Sequence, residues 1–312
     1  MRRQVLPGVA AIVLLSAASF LMPRWLLFLS TMALSHGVVV LGIVLLMRGG
    51  VVSFGQGLVF AAGGYATALA SNRLGITDVF ALLALGGLAA AAITAPFAVL
   101  LSRYRAIFFA MLTLALSMVL YGVLVKTEAL GGSDGFNVAK PTLFGRALGP
   151  DESAQALYVV GVVVVGVLGI AARIWFDSTR GLVTLAIRQN ELRVEYLGAS
   201  ARRIIAGDFV VAGFLGGIGG ALTVLSLGHI DPNFSFWTTS GEFVFAAILA
   251  GHHSVAAVFV ASFLLEMVRS FSNLYFPNTW QLALGVFLLA VIRFLPDGVG
   301  SLWTRRRKRR QP

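Results

Sequence analysis

The sequence predicts an all-α, polytopic integral membrane protein forming a single domain over residues 1–312, and three observations predict it. Hydrophobic residues make up 58% of the chain against 12% charged, with a mean hydropathy of +0.89, whereas a soluble domain carries roughly 45–50% apolar and about 25% charged residues. Apolar stretches of about 16 to 25 residues recur from end to end, and a hydrocarbon core of about 30 Å takes about 20 helical residues to cross. The 24 basic residues gather at the ends of those stretches, where the positive-inside bias places them on the cytoplasmic side. The formal charge of +11 therefore reports orientation, and nucleic acid is not an expected partner; membrane lipid is.

With Arg2 and Arg3 inside, Val5–Met22 runs outward, Trp25–Met47 inward and the short Gly57–Asn72 outward. Val79–Leu101 returns, Ala106–Val125 leaves, and Ala154–Ile174 returns after an outer loop over residues 126–153. A hydrophilic cytoplasmic loop spans 175–203. Ile204–Gly228 then goes out, Glu242–Gly251 enters, Val255–Tyr275 goes out and Trp280–Leu295 comes in to a basic tail at 304–312. About ten segments result, with both termini cytoplasmic. Of the 24 basic residues, 17 fall inside and five outside, leaving Arg269 and Arg293 at intermediate depth. Trp25, Trp175, Trp237, Trp280 and Trp303 fall near boundaries, as an interfacial aromatic belt requires. The two short segments are expected to be re-entrant or broken helices, because about 10 residues from Glu242 reach only ~15 Å. Met1–Phe20 also has the charged start and apolar run of a signal peptide. An uncleaved first helix fits the charge balance better.

Zero cysteines exclude disulfides, iron–sulfur clusters and thiolate zinc sites. None of Lys126, Lys140 and Lys308 follows a glycine, so there is no phosphate-binding loop. No cofactor is expected on this chain. His252 and His253 are adjacent, which points them about 100° apart on a helix with no nearby acid or thiolate, so no metal site is expected. There is no catalytic constellation of the His-Glu-x-x-His or Gly-x-Ser-x-Gly kind, and an enzyme is not expected.

The stretch Ser53-Phe54-Gly55-Gln56-Gly57-Leu58-Val59-Phe60-Ala61-Ala62-Gly63-Gly64-Tyr65 puts polar and glycine residues where a plain span would carry leucine. Irregular backbone survives at membrane depth only where protein or a water-filled cavity covers it, and interrupted helices use their exposed ends to meet solutes. Close packing through small residues would also explain the stretch. It resembles the Ser-x-Gly-His/Gln…Phe…Gly-x-Gly-Ala-Tyr signature of branched-chain amino acid permeases, the membrane subunits of ATP-binding-cassette importers. The similarity continues through Arg105–Leu120, Gly131-Gly132-Ser133-Asp134-Gly135, Ser178–Gly198 and Trp280 to Pro296, and it is closest to the family's longer-loop subunit. The chain departs from the family at Ala250–Ala256 and at Asp297.

Three groups of site residues follow. A substrate pathway is expected at Ser53, Gly55, Gln56, Gly57, Gly64 and Glu242, with half-helix N-termini toward a zwitterion's carboxylate and Glu242 toward its ammonium group. In the cytoplasmic loop, a helix read over Thr184–Leu197 places Leu185, Gln189, Leu192 and Tyr196 on one side and Arg188, Glu191 and Glu195 on another. The resemblance implies that this is the helix coupled to an ATPase, through Arg188, Glu191, Glu195, Leu197 and Gly198. Gly213, Gly216, Gly217 and Gly220 form two Gly-x-x-x-Gly spacings suited to close helix packing. Glu266 and Arg269, three residues apart, are expected to pair with each other, and Asp208 to stay near the interface.

The resemblance implies a permease subunit in the bacterial inner membrane. It implies partnership with a second permease chain in a heterodimer, two cytoplasmic ATPases that bind ATP and Mg, and a periplasmic solute-binding protein. Branched-chain or other hydrophobic amino acids are the expected cargo, with urea, short amides or aromatic carboxylates as alternatives. An ion-coupled secondary transporter is the rival class, and it would need buried acids in the pathway.

Overall fold

The computed structural model describes residues 2–147, 149–251, 254–275, 277, 279–294 and 298–300. His252, His253, Asp297, Trp303 and the tail at 304–312 lie outside the described residues. The chain is helical, and each of the ten apolar stretches forms a helix. In order these are α1 (Arg2–Ala18), α2 (Arg24–Arg48), α3 (Gln56–Leu74), α4 (Val79–Leu101), α5 (Ala106–Lys126) and α6 (Pro150–Asp177). The loop helices α7 (Thr179–Gln189) and α8 (Glu191–Tyr196) follow, then α9 (Ala201–Leu227), α10 (Trp237–Ala250), α11 (Val255–Tyr275) and α12 (Trp280–Phe294). Among the described residues, six helices are long and apolar enough to cross a membrane: α2, α4, α5, α6, α9 and α11.

The core is built around α2 and α9. From Val38 to Leu46 every residue of α2 is buried, because α6, α9, α10 and α11 surround it. On α9 the small residues set the distance to α3 and α4. A Cβ on Gly63 would collide with the carbonyl oxygen and Cα of Gly217, and one on Gly220 with the carbonyl oxygen of Phe60. One on Gly217 would meet Ala90 Cβ and the Gly86 carbonyl at 2.5 Å. Gly213 faces Thr94, and Gly216 faces Val59. These helices touch backbone to backbone, the approach that glycine permits and any larger residue forbids.

Element ends follow local chemistry. Asp78 caps α4 by accepting from the amides of Phe80 and Ala81, and its other carboxylate oxygen accepts from Phe144. Ser178 and Ser200 cap α7 and α9. The outer loop adds a small two-stranded pairing, β1 (Phe136–Asn137) with β4 (His229–Ile230), antiparallel. Gly135 there has a φ of +71° and lies against the Ile230 carbonyl, a contact and a conformation that exclude a side chain. A second short hairpin pairs β2 (Thr142–Leu143) with β3 (Arg146–Ala147).

Three sequence expectations change. The single loop helix over Thr184–Leu197 is instead two helices broken at Asn190, whose φ of −160° is extended and whose side chain caps α8 through the Arg193 amide. The face that packs is accordingly Gly181, Thr184, Ile187 and Val194, while Gln189, Leu192 and Tyr196 are exposed and Leu185 is half-buried. The short segment at Glu242 begins earlier, at Trp237, and its 14 residues reach about 21 Å, still short of a hydrocarbon core of about 30 Å. Glu266 and Arg269 still interact electrostatically, but Glu266 also pairs with His36 at 3.0 Å and Arg269 with Glu242 at 3.3 Å, because α11 lies against α2 and α10 and offers each side chain a partner on a neighbouring helix.

Candidate functional site

Helix α3 starts late. The seven residues from Gly49 to Gly55 are not helical, and Val51, Ser53 and Gly55 are buried, so their amides must find partners inside the protein. Val51 donates to the Leu46 carbonyl at 3.2 Å, and hydroxyl groups serve the stretch that follows. Ser53 Oγ accepts from the Gly55 amide at 3.2 Å, Thr113 Oγ1 on α5 accepts from Phe54 at 3.1 Å, and Ser240 Oγ on α10 accepts from Gly57 at 2.9 Å. Alongside, Ser117 Oγ donates to the Ser235 carbonyl at 2.7 Å, fixing the 3-10 turn Pro232–Ser235 against α5. A Cβ on Gly55 would press on the Thr113 carbonyl at 2.8 Å, and one on Gly57 on Ser240 Oγ at 2.7 Å. Gln56 is buried beside Gly216, and its Oε1 has no hydrogen-bond partner among the described residues.

Ionisable side chains meet where α10 packs against α2 and α11. His36 of α2 pairs with Glu266 of α11, and Glu242 of α10 with Arg269 of α11. The His36 ring stands edge-on to Phe60 and Phe243, with centroids 5.9 and 5.4 Å away, and Phe60 stacks on Phe234 at 5.1 Å. Both acids of this cluster are paired with a base, as the cost of an isolated charge in a low-dielectric setting requires.

The loop helices form a third region. Thr184 Oγ1 donates to Asp208 Oδ2 at 2.9 Å, tying α7 to α9 through a carboxylate that is 1% exposed. Arg188 has its backbone against Gly50, in the turn that precedes the interrupted segment, and points its side chain to solvent. Glu191 accepts two hydrogen bonds from Arg105, at 2.7 and 2.9 Å. The same guanidinium donates to the carbonyls of Ser102 and Tyr104. Glu195, Leu197 and Gly198 are exposed beside Leu192 and Tyr196, and Gly198 has a φ of +88°.

The structure thus gathers Ser53, Gly55, Gln56 and Gly57 in one place, with Glu242 two residues beyond Ser240 on α10. Gly64 is elsewhere, packed on Val224 and Ile230. The amides of Gly55 and Gly57 are engaged by hydroxyls, so in this conformation they do not present free donors to a carboxylate. Sequence reasoning did not single out Arg105, His36, Thr113, Ser117 or Ser240. A signal was present for two of them: Thr113 and Ser117 are four apart on an apolar helix, hence on one face, and both are among the few buried residues of α5.

A model of the family described as branched-chain amino acid transport system permease component matches residues 25–292. Two curated relatives are the high-affinity branched-chain amino acid transport system permease proteins LivM of Escherichia coli (strain K12) and Salmonella typhimurium (strain LT2). Each is 27% identical to this chain over 325 and 327 residues respectively, covering 95% of this chain and 75% of the relative. No solved structure matches the chain.

Proposed function

The chain belongs to the family of branched-chain amino acid transport system permease components, and on that premise we propose that it is the membrane-spanning half of an ATP-driven importer for branched-chain or other hydrophobic amino acids. Its ten apolar helices cross or enter the bacterial inner membrane with both termini cytoplasmic, and it pairs with a second permease chain. A solute-binding protein delivers cargo outside, and two ATPases bearing ATP and Mg work inside.

One observation carries the mechanism. Helix α5 joins the loop helices to the interrupted start of α3, gripping Glu191 with Arg105 at one end and holding Phe54 and Ser235 with Thr113 and Ser117 further along. Arg188, Glu191, Glu195, Leu197 and Gly198 offer a docking surface with an apolar edge and fixed charges, which suits a groove on an ATPase. A push on α8 moves α5, and α5 carries the Thr113 hydroxyl that holds the interrupted segment and the Ser117 hydroxyl that holds the 3-10 turn beside it. Cargo enters when Ser240 withdraws with α10 and releases the Gly57 amide, so that Ser53, Gly55, Gln56, Gly57 and Glu242 line the opened path. The ion-coupled alternative needs an acid able to take up an ion, and Glu242 and Glu266 are engaged by Arg269 and His36.

Uptake of labelled leucine into proteoliposomes holding the full assembly tests this. Uptake that needs internal or external ATP on the ATPase side and survives dissipation of proton and sodium gradients supports it. Uptake abolished by ionophores with ATP present overturns it. A panel of amino acids, urea, short amides and aromatic carboxylates, offered to the binding protein by thermal shift, identifies the cargo.

A further inference from the structure

A groove of about 180 Å³ opens on the flank made by α2, α6 and α9, lined by Leu41, Leu45, Leu168, Trp175, Val211 and Phe214 among others. Its lining is apolar throughout. From Trp175 to Leu168 it follows α6 for seven residues, about 10 Å. The two aromatic residues at its α7 end each carry an arginine on the ring face. Arg180 Cζ lies 5.0 Å from the Trp175 ring centroid, and Arg48 Cζ lies 4.3 Å from that of Phe176. Arg48 also donates to the Phe176 carbonyl and lies within reach of Asp177. Arg180 is exposed, and its guanidinium reaches across to α9 at Gly207. Asp208, an acid within electrostatic reach of Arg180, is buried and accepts from Thr184.

An apolar slot ending in stacked guanidinium groups asks for a ligand with a hydrocarbon body and an anionic end. The stacking holds Arg180 on Trp175, a residue of the groove's lining, and the guanidinium plane suits phosphate oxygens. We propose that the groove is a phospholipid site: one acyl chain lies between α2, α6 and α9, and the phosphate of an anionic lipid sits on Arg180. A protein segment could fill the slot but would have to bring its own anion to the same point. A neutral lipid would leave the exposed guanidinium with only the buried Asp208 as counter-charge.

The test uses the complete transporter in nanodiscs of mixed phosphatidylglycerol and phosphatidylcholine, followed by stepwise delipidation and native mass spectrometry of the lipids retained. The parent is expected to hold phosphatidylglycerol well above its share of the mixture. Arg180→Gln lowers that retention about fivefold, the preference that one surface arginine confers on an anionic headgroup. Arg180→Lys, which keeps the charge but loses the stacked planar donors, falls between the parent and Arg180→Gln. Ala172→Trp fills the groove and removes the retained lipid with all charges intact. Retention of the two lipids in their mixing ratio overturns the proposal, as does unchanged phosphatidylglycerol in both Arg180→Gln and Ala172→Trp. So does a Val211→Cys crosslinker that captures a protein subunit in place of a photoactivatable lipid.

Discussion

Removing the Glu191 carboxylate while keeping its shape, with Glu191→Gln, should loosen the loop helices from α5 by an amount the geometry sets. Two hydrogen bonds at 2.7 and 2.9 Å make the pair bidentate, the strong form of an arginine–carboxylate contact. The side chains are 28% and 35% exposed, so water and salt screen them in part. An exposed pair contributes about 0.2–1 kcal/mol, and a hydrogen bond to a charged group about 1.5–3 kcal/mol. This pair, partly exposed but bidentate, should lie between, at about 1–2 kcal/mol. Arg105→Gln alone should cost more, since it also strips the Ser102 and Tyr104 carbonyls of a donor. Only the double-mutant cycle isolates the pair. Two readouts apply to each variant in nanodiscs: thermal unfolding of the assembly, and stimulation of ATPase activity by cargo-loaded binding protein. A coupling energy of about 1–2 kcal/mol corresponds to a factor of about 5 to 30, and stimulation should fall in both single variants. The reversed pair, Arg105→Glu with Glu191→Arg, should recover part of it. Additive effects within about 0.3 kcal/mol, or full stimulation in Glu191→Gln, would refute the role given to this contact.

Gly220→Ala should destabilise the protein by about 3 kcal/mol, since the new methyl meets the Phe60 carbonyl and backbone cannot give way as a side chain can. Gly122→Ala on α5 meets nothing and should be neutral or stabilising by up to about 1 kcal/mol; thermal unfolding in detergent separates the two. Ser240→Ala leaves the buried Gly57 amide without its acceptor, at a cost of about 1–3 kcal/mol, and should alter the rate of leucine uptake more than its concentration dependence. His36→Ala removes the hydrogen-bonded partner of Glu266 and leaves it only the more distant charge of Arg269, which should cost about 3 kcal/mol, whereas the paired change His36→Leu with Glu266→Leu should recover most of that loss. If the double variant is no more stable than the single one in thermal unfolding, the pair is not what holds α2 to α11 at that point.

Helices were legible wherever hydropathy alone decides them: all ten apolar stretches are helical, and α2 and α4 begin and end within a residue or two of the expected bounds. The break at Asn190 was not, because either side of it reads as helix by periodicity, and a capping side chain overrides propensity only once its backbone is extended. The start of α3 was legible as an anomaly at Ser53, Gly55 and Gln56, but its partners were not. Thr113 and Ser240 lie 59 and 183 residues from the amides they accept from, and no local pattern encodes a pairing that distant. Glu266 and Arg269 show the same limit: spacing of three on a helix favoured each other, while tertiary packing supplied His36 and Glu242.

The backbone contact among α3, α4 and α9 has a mechanical corollary. Where side chains interdigitate, one rotamer change lets two helices slip by a fraction of an ångström; where a carbonyl of Phe60 or Gly86 rests on a glycine, there is no such gearing. These three helices turn together or not at all, like a stator. On the proposed transport cycle, movement then falls to the pieces fastened by hydroxyls and ion pairs, α5 and α10, whose fastenings can be undone and remade without rebuilding the interior.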